Sequence, residues 1–515
     1  MLQYKSMDTF SRARLDQVVV VGAGIAGLAC AIDLAANGLC VTVVERAARP
    51  GGKMREAAVG QTRIDCGPTV FTMRWVFDAL FDAAGASLES HIGLKPLNVL
   101  ARHAWSDAER LDLFADIDQS SDAIGDFAGA AEARGYRAFS AQAQRVFATL
   151  RDTFLTDQQT GPIGLSRRIG LANLPALFAL RPFDTLWSAL GEHFRDPRLR
   201  QLFGRYATYC GSSPFAAPAT LMLIAHVEQA GVWIVEGGMQ RLADALERLA
   251  ASLEVRFRYG ADAQEITLAG GRASGVTLAT GEHLASHAVV MNADAAVRVG
   301  GLGGKPGPAR SLSAITWAVH AQTLGFPLLR HNVFFSGRYQ AEFDDIFQRG
   351  RLPRAPTIYV CAQDRGDDGA EVSAEERLLI LVNAPANGDR AALDEGELSR
   401  CETEVFDHLK RCGLTVGHSG VGGAVTTPQT FNTLFPGTGG ALYGQATHGW
   451  AAAFQRPGAS TRIAGLYRAG GGAHPGAGVP MAALSGRLAA ARLIRDRALM
   501  SQFRKGAIVG GMSTP

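Results

Sequence analysis

Residues 17–45 constrain this chain more than any other stretch. Gln17–Val21 is a β-branched run of the kind buried in parallel sheets. Gly22-Ala23-Gly24-Ile25-Ala26-Gly27 follows at once, then an Ala/Leu-rich helix over Leu28–Asn37 with Gly38 placed to close it. A second β-branched strand, Cys40–Glu45, completes a βαβ unit, whose natural home is a parallel sheet. The three glycines of the turn serve different physical ends. The first makes the tight turn, the second lets a pyrophosphate approach the backbone, and the third lets helix and strand pack closely. The helix start offers free N–H groups and a positive dipole end to phosphates. Glu45, at the end of the second strand, can accept hydrogen bonds from a ribose diol and repels a 2′-phosphate. A dinucleotide such as NAD or FAD is expected, and NADP is not.

Three features favour FAD. The turn opens the chain. A flexible basic segment, Arg46 and then Gly51-Gly52-Lys53-Met54-Arg55, follows Glu45. The far end repeats the opening logic: strand Gly465–Ala469, the glycine-rich loop 470–480, then an Ala/Leu helix whose start can stabilise negative charge on the isoalloxazine ring. Gly300–Gly304 and Gly437–Gly440 lack a preceding strand, so a separate nicotinamide site is not expected. Oxygen, a quinone or another carrier would then accept the electrons.

The expected fold class is α/β. A Rossmann-type FAD-binding domain is assembled from segments 16–100, 225–300 and 460–500. An α+β domain for substrate and membrane association, 101–224 and 301–459, is inserted into it. Within these, 120–215 reads as helical and 227–250 as strand, turn and helix, with Leu242, Leu246 and Leu249 on one face. Residues 253–294 read as a meander, and 305–450 as short strands and loops.

Composition excludes other classes. The 515 residues are 47% hydrophobic and 19% charged, which argues for a large core and against disorder. A net charge of +3 gives nucleic acid no electrostatic footprint. The seven cysteines are scattered without C-x-x-C, so neither a metal site nor a disulfide framework is expected. The first residues lack the apolar core of a secretory signal, and no apolar run reaches the roughly 18 residues of a membrane span.

The motifs together resemble the phytoene desaturase family of bacterial flavoproteins, within the amine oxidase-like and GDI-like group. They are VVVVGAGIAGLACAIDLAANG, ERAARPGGKMRE, Ile64–Val70, EGGM at Glu236–Met239, VVMNAD ending at Asp294, and GGGAHPGAGVPMAALSGR. They run from residue 18 to residue 487, nearly the whole chain. Gly67–Phe81 resembles the 1-hydroxycarotenoid 3,4-desaturases (methoxyneurosporene dehydrogenases) of acyclic carotenoid synthesis; phytoene desaturases usually differ over Thr72–Trp75. Cys66 stands where the family has a small residue such as Ala. The resemblance implies flavin contacts at Gly22, Gly24, Gly27, Glu45, Arg46, Gly52, Lys53 and Arg55, at Gly471, Gly472, Val479 and Met481, and more loosely at Ala263. It implies introduction of a C3–C4 double bond into hydroxyneurosporene or hydroxylycopene, on the route to spheroidene or spirilloxanthin in photosynthetic bacteria.

Such a reaction asks little acid–base chemistry of the protein. The flavin carries the hard step, and the protein supplies position and dryness. His474, Glu236 and Asp65 could act as bases, but each is better read as structural. The C40 substrate needs a long apolar tunnel, for which Phe203, Tyr206, Tyr209, Phe215 and Trp233 could form walls; ordinary core packing accounts better for any one of them. Residues 163–190 combine apolar side chains and Trp187 with Arg167, Arg168 and Arg181, while Pro175 and Pro182 forbid one continuous helix. This suits a membrane-surface segment, and a buried helical hairpin almost as well. The expected location is cytoplasmic, peripheral to the inner or intracytoplasmic membrane. The rival readings are a phytoene desaturase, an isomerase of the same fold, and a GDI-like prenyl-lipid carrier without redox activity.

Overall fold

A computed structural model of the chain describes residues 17–170, 173, 180–294, 298–299, 302–303, 309–367, 372, 375–390, 393–417 and 423–509. Five parallel strands form the first sheet: β1 (Gln17–Val21), β2 (Cys40–Glu45), β3 (Arg256–Tyr259), β4 (Ala288–Asn292) and β5 (Leu466–Ala469). Their spatial order is β3-β2-β1-β4-β5. Alternation along β1 builds three layers. Val18 and Val20 face helices α1 (Ile25–Ala36) and α2 (Val479–Val509). Val19 faces a small antiparallel sheet of Ala263–Ala269, Arg272–Leu278 and His283–Ala285. Gly38 takes φ +78° and ends α1 as expected. Gly270 and Gly271, at φ +57° and +75°, make the two-residue turn between the paired Ala269 and Arg272. Arg256–Tyr259, read from the sequence as part of the meander, instead pairs in parallel with β2.

Residues 305–450 hold more order than short strands and loops. Ser313–Ala321 and Glu376–Ala384, nine residues each, lie at the heart of a seven-stranded sheet. Across that sheet the order is Ala424–Thr426, Ser313–Ala321, Glu376–Ala384, Ile358–Ala362, His331–Phe334, Val99–Ala104 and Arg110–Phe114. Near it, Arg365 and Glu376 form a buried two-pronged ion pair. Nη2 and Nε each reach a carboxylate oxygen at 2.7 Å, and the side chains are 8% and 1% exposed. The Thr323 hydroxyl donates to the same carboxylate.

The helical region contains Ile117–Ala128, Ala130–Leu150, Pro162–Ile169, Leu186–His193 and Pro197–Gly204. Segment 163–190 is interrupted at Gly170, φ +95°, and residues 171–172 and 174–179, with Pro175, lie outside the described residues. Among the described residues, no helix is long and apolar enough to cross a membrane.

Candidate flavin and substrate site

The sheet order brings the two ends of the chain together. β4 lies between β1 and β5, so the turns that follow β1 and β5 open side by side at the carboxyl edge, where open parallel sheets bind ligands. Asn292, the last residue of β4, bridges them. Its Nδ2 donates to Gly22 O (3.0 Å) and Gly24 O (3.4 Å), and its Oδ1 faces Gly470, 3.1 Å from where a Cβ would stand. Helices α1 and α2 meet backbone to backbone behind the turns, because a Cβ on Gly486 would overlap the Ala26 carbonyl.

The first turn is a cradle with no room for side chains. Gly22 has φ +100°, and a Cβ there would stand 2.7 Å from Asn292 O. A Cβ on Gly27 would fall inside the Gly22 carbonyl oxygen. Gly24 caps α1 without any side chain, and the first intrahelical bond is Leu28 N–H to Gly24 O, 3.0 Å. The amides before it are free for an anion. Glu45 turns its carboxylate to this edge, accepting from Ala23 N–H (2.7 Å) and Ala47 N–H (2.8 Å). A carboxylate has about four acceptor positions, so two remain for a ribose. Ala263 starts a strand next to the Ala261 N–H bond to Glu45 O, 2.9 Å, and so lies beside the same end of β2.

The basic segment is tied down, where the sequence suggested a flexible one. Gly51 N–H donates to Ala23 O at 3.0 Å, and a Cβ on Gly52 would stand 3.2 Å from Gly24 Cα. Arg46 reaches Thr433 O and Leu434 O, both at 2.6 Å. Lys53 donates to Leu442 O at 2.6 Å; burial lowers its pKa and Asp294 opposes the shift. Arg55 donates to the Thr426 hydroxyl at 2.8 Å, and its Nε is buried without a partner among the described residues.

At the other turn, Ala482 N–H to Gly478 O (2.8 Å) is the first bond of α2. The N–H groups of Val479 and Met481 precede it, and Pro480 has none. Gly472 Cα stands 3.0 Å from where a Cβ on Gly444 would lie. Arg456 locks these loops, donating to Gly471 O (2.9 Å), Tyr443 O (3.2 Å) and Gln445 O (2.9 Å). Glycine cradles, free helix starts and a ribose-facing carboxylate on one sheet edge fit FAD, with Gly22, Gly24, Gly27 and Glu45 towards the pyrophosphate and ribose.

Two of the candidate bases, Asp65 and His474, are engaged in structural hydrogen bonds. Asp65 accepts from Met239 N–H (2.7 Å) and Gln240 N–H (3.4 Å), capping helix Gln240–Ser252 from across the fold; burial raises its pKa. Glu236 is exposed beside Gly93. His474 Nε2 donates to Phe154 O (2.9 Å) and Asp157 O (3.0 Å), outside its own glycine-rich loop. Burial lowers its pKa.

The aromatic walls divide. Phe203, 1% exposed, packs on Phe139 and Phe194 at 4.9 and 4.8 Å and is core. Phe215 packs on Trp187 at 4.6 Å, and Trp233 on Phe71 at 6.3 Å. Lys53, Arg205, Tyr209, Tyr359 and Tyr443 are each partly exposed, and the Arg205 guanidinium lies over the rings of Tyr209 and Tyr359. The Tyr359 hydroxyl bonds Thr69 Oγ1 and His331 Nδ1, each at 2.7 Å, and burial pushes the His331 pKa down to about 3.

A parallel dinucleotide sheet whose two terminal turns share one cofactor edge defines a flavin-dependent oxidoreductase. Residues 25–302 match the family described as flavin containing amine oxidoreductase, and the chain belongs to it, within its carotenoid desaturase branch. It is 52% identical over 511 residues to a hydroxyneurosporene desaturase of Rubrivivax gelatinosus, covering 97% of each chain. It is 44% identical to the Cereibacter sphaeroides protein of the same name, covering 95% of this chain and 100% of that one. A 1-hydroxycarotenoid 3,4-desaturase of Flavobacterium is 28% identical over 92% of this chain and 98% of its own length. Among solved structures, putrescine oxidase aligns with TM-score 0.58 at 14% identity, covering 93% of this chain and 99% of that one. A fatty acid isomerase from P. acnes aligns at 0.51 and 13%, covering 94% and 98%. These last two share the fold alone.

Proposed function

We propose that this chain is an FAD-dependent desaturase that introduces the C3–C4 double bond into acyclic 1-hydroxycarotenoids of the hydroxyneurosporene or hydroxylycopene type, on the route to spheroidene or spirilloxanthin. The observation that carries this reading is the meeting of both glycine-rich turns at Asn292. Extended identity to hydroxyneurosporene desaturases supports the substrate class.

Bound FAD supplies the two-electron oxidant. The chain's residues do the rest. Gly22, Gly24 and Gly27 admit the pyrophosphate; Glu45 holds a ribose; Gly52, Lys53, Arg46 and Arg55 shape the first loop. Gly471, Gly472, Val479 and Met481 present N–H groups to the ring, and Ala263 backs the adenine. Oxygen, a quinone or another carrier takes the electrons onward.

Incubation with phytoene, neurosporene and 1-hydroxyneurosporene tests the reading. The expected product is 1-hydroxyneurosporene lighter by two hydrogens. Conversion of phytoene alone identifies a phytoene desaturase, an unchanged product mass an isomerase, and a colourless protein a lipid carrier.

The location proposed is peripheral, on the cytoplasmic side of the inner or intracytoplasmic membrane of a photosynthetic bacterium. In its support, Phe183 and Trp450 are 81% and 49% exposed and pack edge to face at 5.9 Å, with Ile163 exposed as well. The basic complement is thinner than the sequence suggested: Arg181 pairs with Asp184 and Glu192, and Arg168 with Asp157. The apolar contribution should therefore dominate. The double variant Phe183→Ser/Trp450→Ser is expected to cut liposome binding about tenfold or more, since each buried aromatic contributes ~1.5–3 kcal/mol. Equal sedimentation of variant and parent with vesicles would reject this surface.

A further inference from the structure

We propose that Arg205, with Tyr209, Tyr359 and Glu228, forms the pocket that recognises the hydroxyl end of the substrate and so fixes which bond meets the flavin. The proposal rests on the substrate class inferred above and adds the residues that read it.

Arg205 is half-buried, its guanidinium 5.6 Å and 5.4 Å from the ring centres of Tyr209 and Tyr359. Among the described residues no carboxylate forms an ion pair with it, unlike Arg365 a few strands away. Glu228 is buried, and among the described residues its donors are neutral, Tyr206 Oη–H at 2.8 Å and Tyr209 Oη–H at 2.6 Å. Burial raises the Glu228 pKa. Enclosing a guanidinium and a carboxylate near one another without pairing them is costly. Glu228 keeps its two tyrosine donors, whereas a pure hydrocarbon beside Arg205 would offer the guanidinium no acceptor.

A tertiary alcohol resolves the mismatch. Its oxygen accepts from Arg205, and its proton has lone pairs waiting on Glu228, which uses two of about four. The position also suits the chemistry. Arg205 opens the turn that ends at Gly211, where a Cβ would stand 2.6 Å from the Tyr443 ring, and the neighbouring Gly444 touches Gly472 of the last turn. The pocket is therefore close to the flavin edge. In a 1-hydroxycarotenoid the bond to be oxidised, C3–C4, begins two bonds from the carbinol carbon. Anchoring that hydroxyl beside the ring sets the register of the chain directly.

The test compares 1-hydroxyneurosporene with neurosporene, which lacks the hydroxyl, in flavin-loaded protein. A site built to bond a hydroxyl rejects the analogue without it by up to about 10⁴–10⁵. Arg205→Met is expected to lower kcat/KM for 1-hydroxyneurosporene by about 10²–10³ and to leave neurosporene unchanged or improved, so discrimination collapses at unchanged flavin content. Arg205→Lys should recover part of it. Glu228→Gln, nearly isosteric, keeps the test alive if Arg205→Met fails to fold, and should reduce the preference about tenfold, as for one lost charged hydrogen bond. The ratio of the two Kd values should move in parallel. Discrimination that survives both substitutions, or falls in rate that are equal for the two substrates, overturns the proposal. A parent enzyme that converts the two equally well overturns the substrate reading itself, and the proposal with it.

Discussion

Gly27→Val is expected to give a colourless protein that does not retain FAD and melts well below the parent. The reason is local. The Cβ of residue 27 would occupy the Gly22 carbonyl oxygen and stand 2.8 Å from Asn292 Nδ2. Neither is the free end of a flexible side chain: one is backbone in a turn held at φ +100°, the other is bonded to both Gly22 and Gly24. Relief requires α1 to move off β1. That shifts the amides offered to the pyrophosphate and breaks the contact between Gly486 and Ala26. Overpacking of this kind costs about 1–3 kcal/mol or more, and loss of the cofactor withdraws its linked stabilisation as well. Flavin absorbance of the purified variant and a thermal melt with and without added FAD provide the readout. A yellow variant with parental melting would show that the turn is looser than its geometry states.

Arg365→Met is expected to be the most damaging single change away from the flavin. It leaves the Glu376 carboxylate, 1% exposed, with the Thr323 hydroxyl as its remaining partner. Breaking a buried pair from one side costs about 3–5 kcal/mol, because a desolvated charge is left uncompensated. Glu376 begins the nine-residue strand that pairs with both Ser313–Ala321 and Ile358–Ala362, so the penalty falls on the centre of the seven-stranded sheet. Urea unfolding should show the midpoint falling sharply. The double variant Arg365→Met/Glu376→Leu should regain most of the loss, since a well-packed apolar pair is often as stable as the ion pair it replaces. If the double variant is no better than the single one, the damage comes from packing and not from charge.

The parts of this fold that were legible in the sequence are those where neighbours in the chain are neighbours in space. The β1–α1–β2 unit, the Gly270–Gly271 hairpin and the helix carrying Leu242, Leu246 and Leu249 all declare themselves by local period and turn chemistry. The seven-stranded sheet did not. Its long strand Ser313–Ala321 is buried on both faces at nearly every position, so it shows no alternation to mark it as a strand. At the site, the glycines and Glu45 were readable because the turn itself needs them. Asn292 was visible as part of a motif, but its role depends on β4 lying between β1 and β5, which no local pattern states. Arg456 and Arg205 belong to no motif. Their meaning comes from burial and from partners far away in the chain.

Strand β5 and helix α2 come from the last part of the chain, yet they complete a sheet and a helix pair begun by its first residues. During synthesis, the apolar face of α1 has to wait for almost the entire polypeptide to leave the ribosome before α2 can cover it. The nascent chain thus carries an uncovered, unliganded nucleotide fold for most of its translation time, exposed to misassociation. A complete flavin site therefore forms only once residues 466–509 have folded against the first βαβ unit.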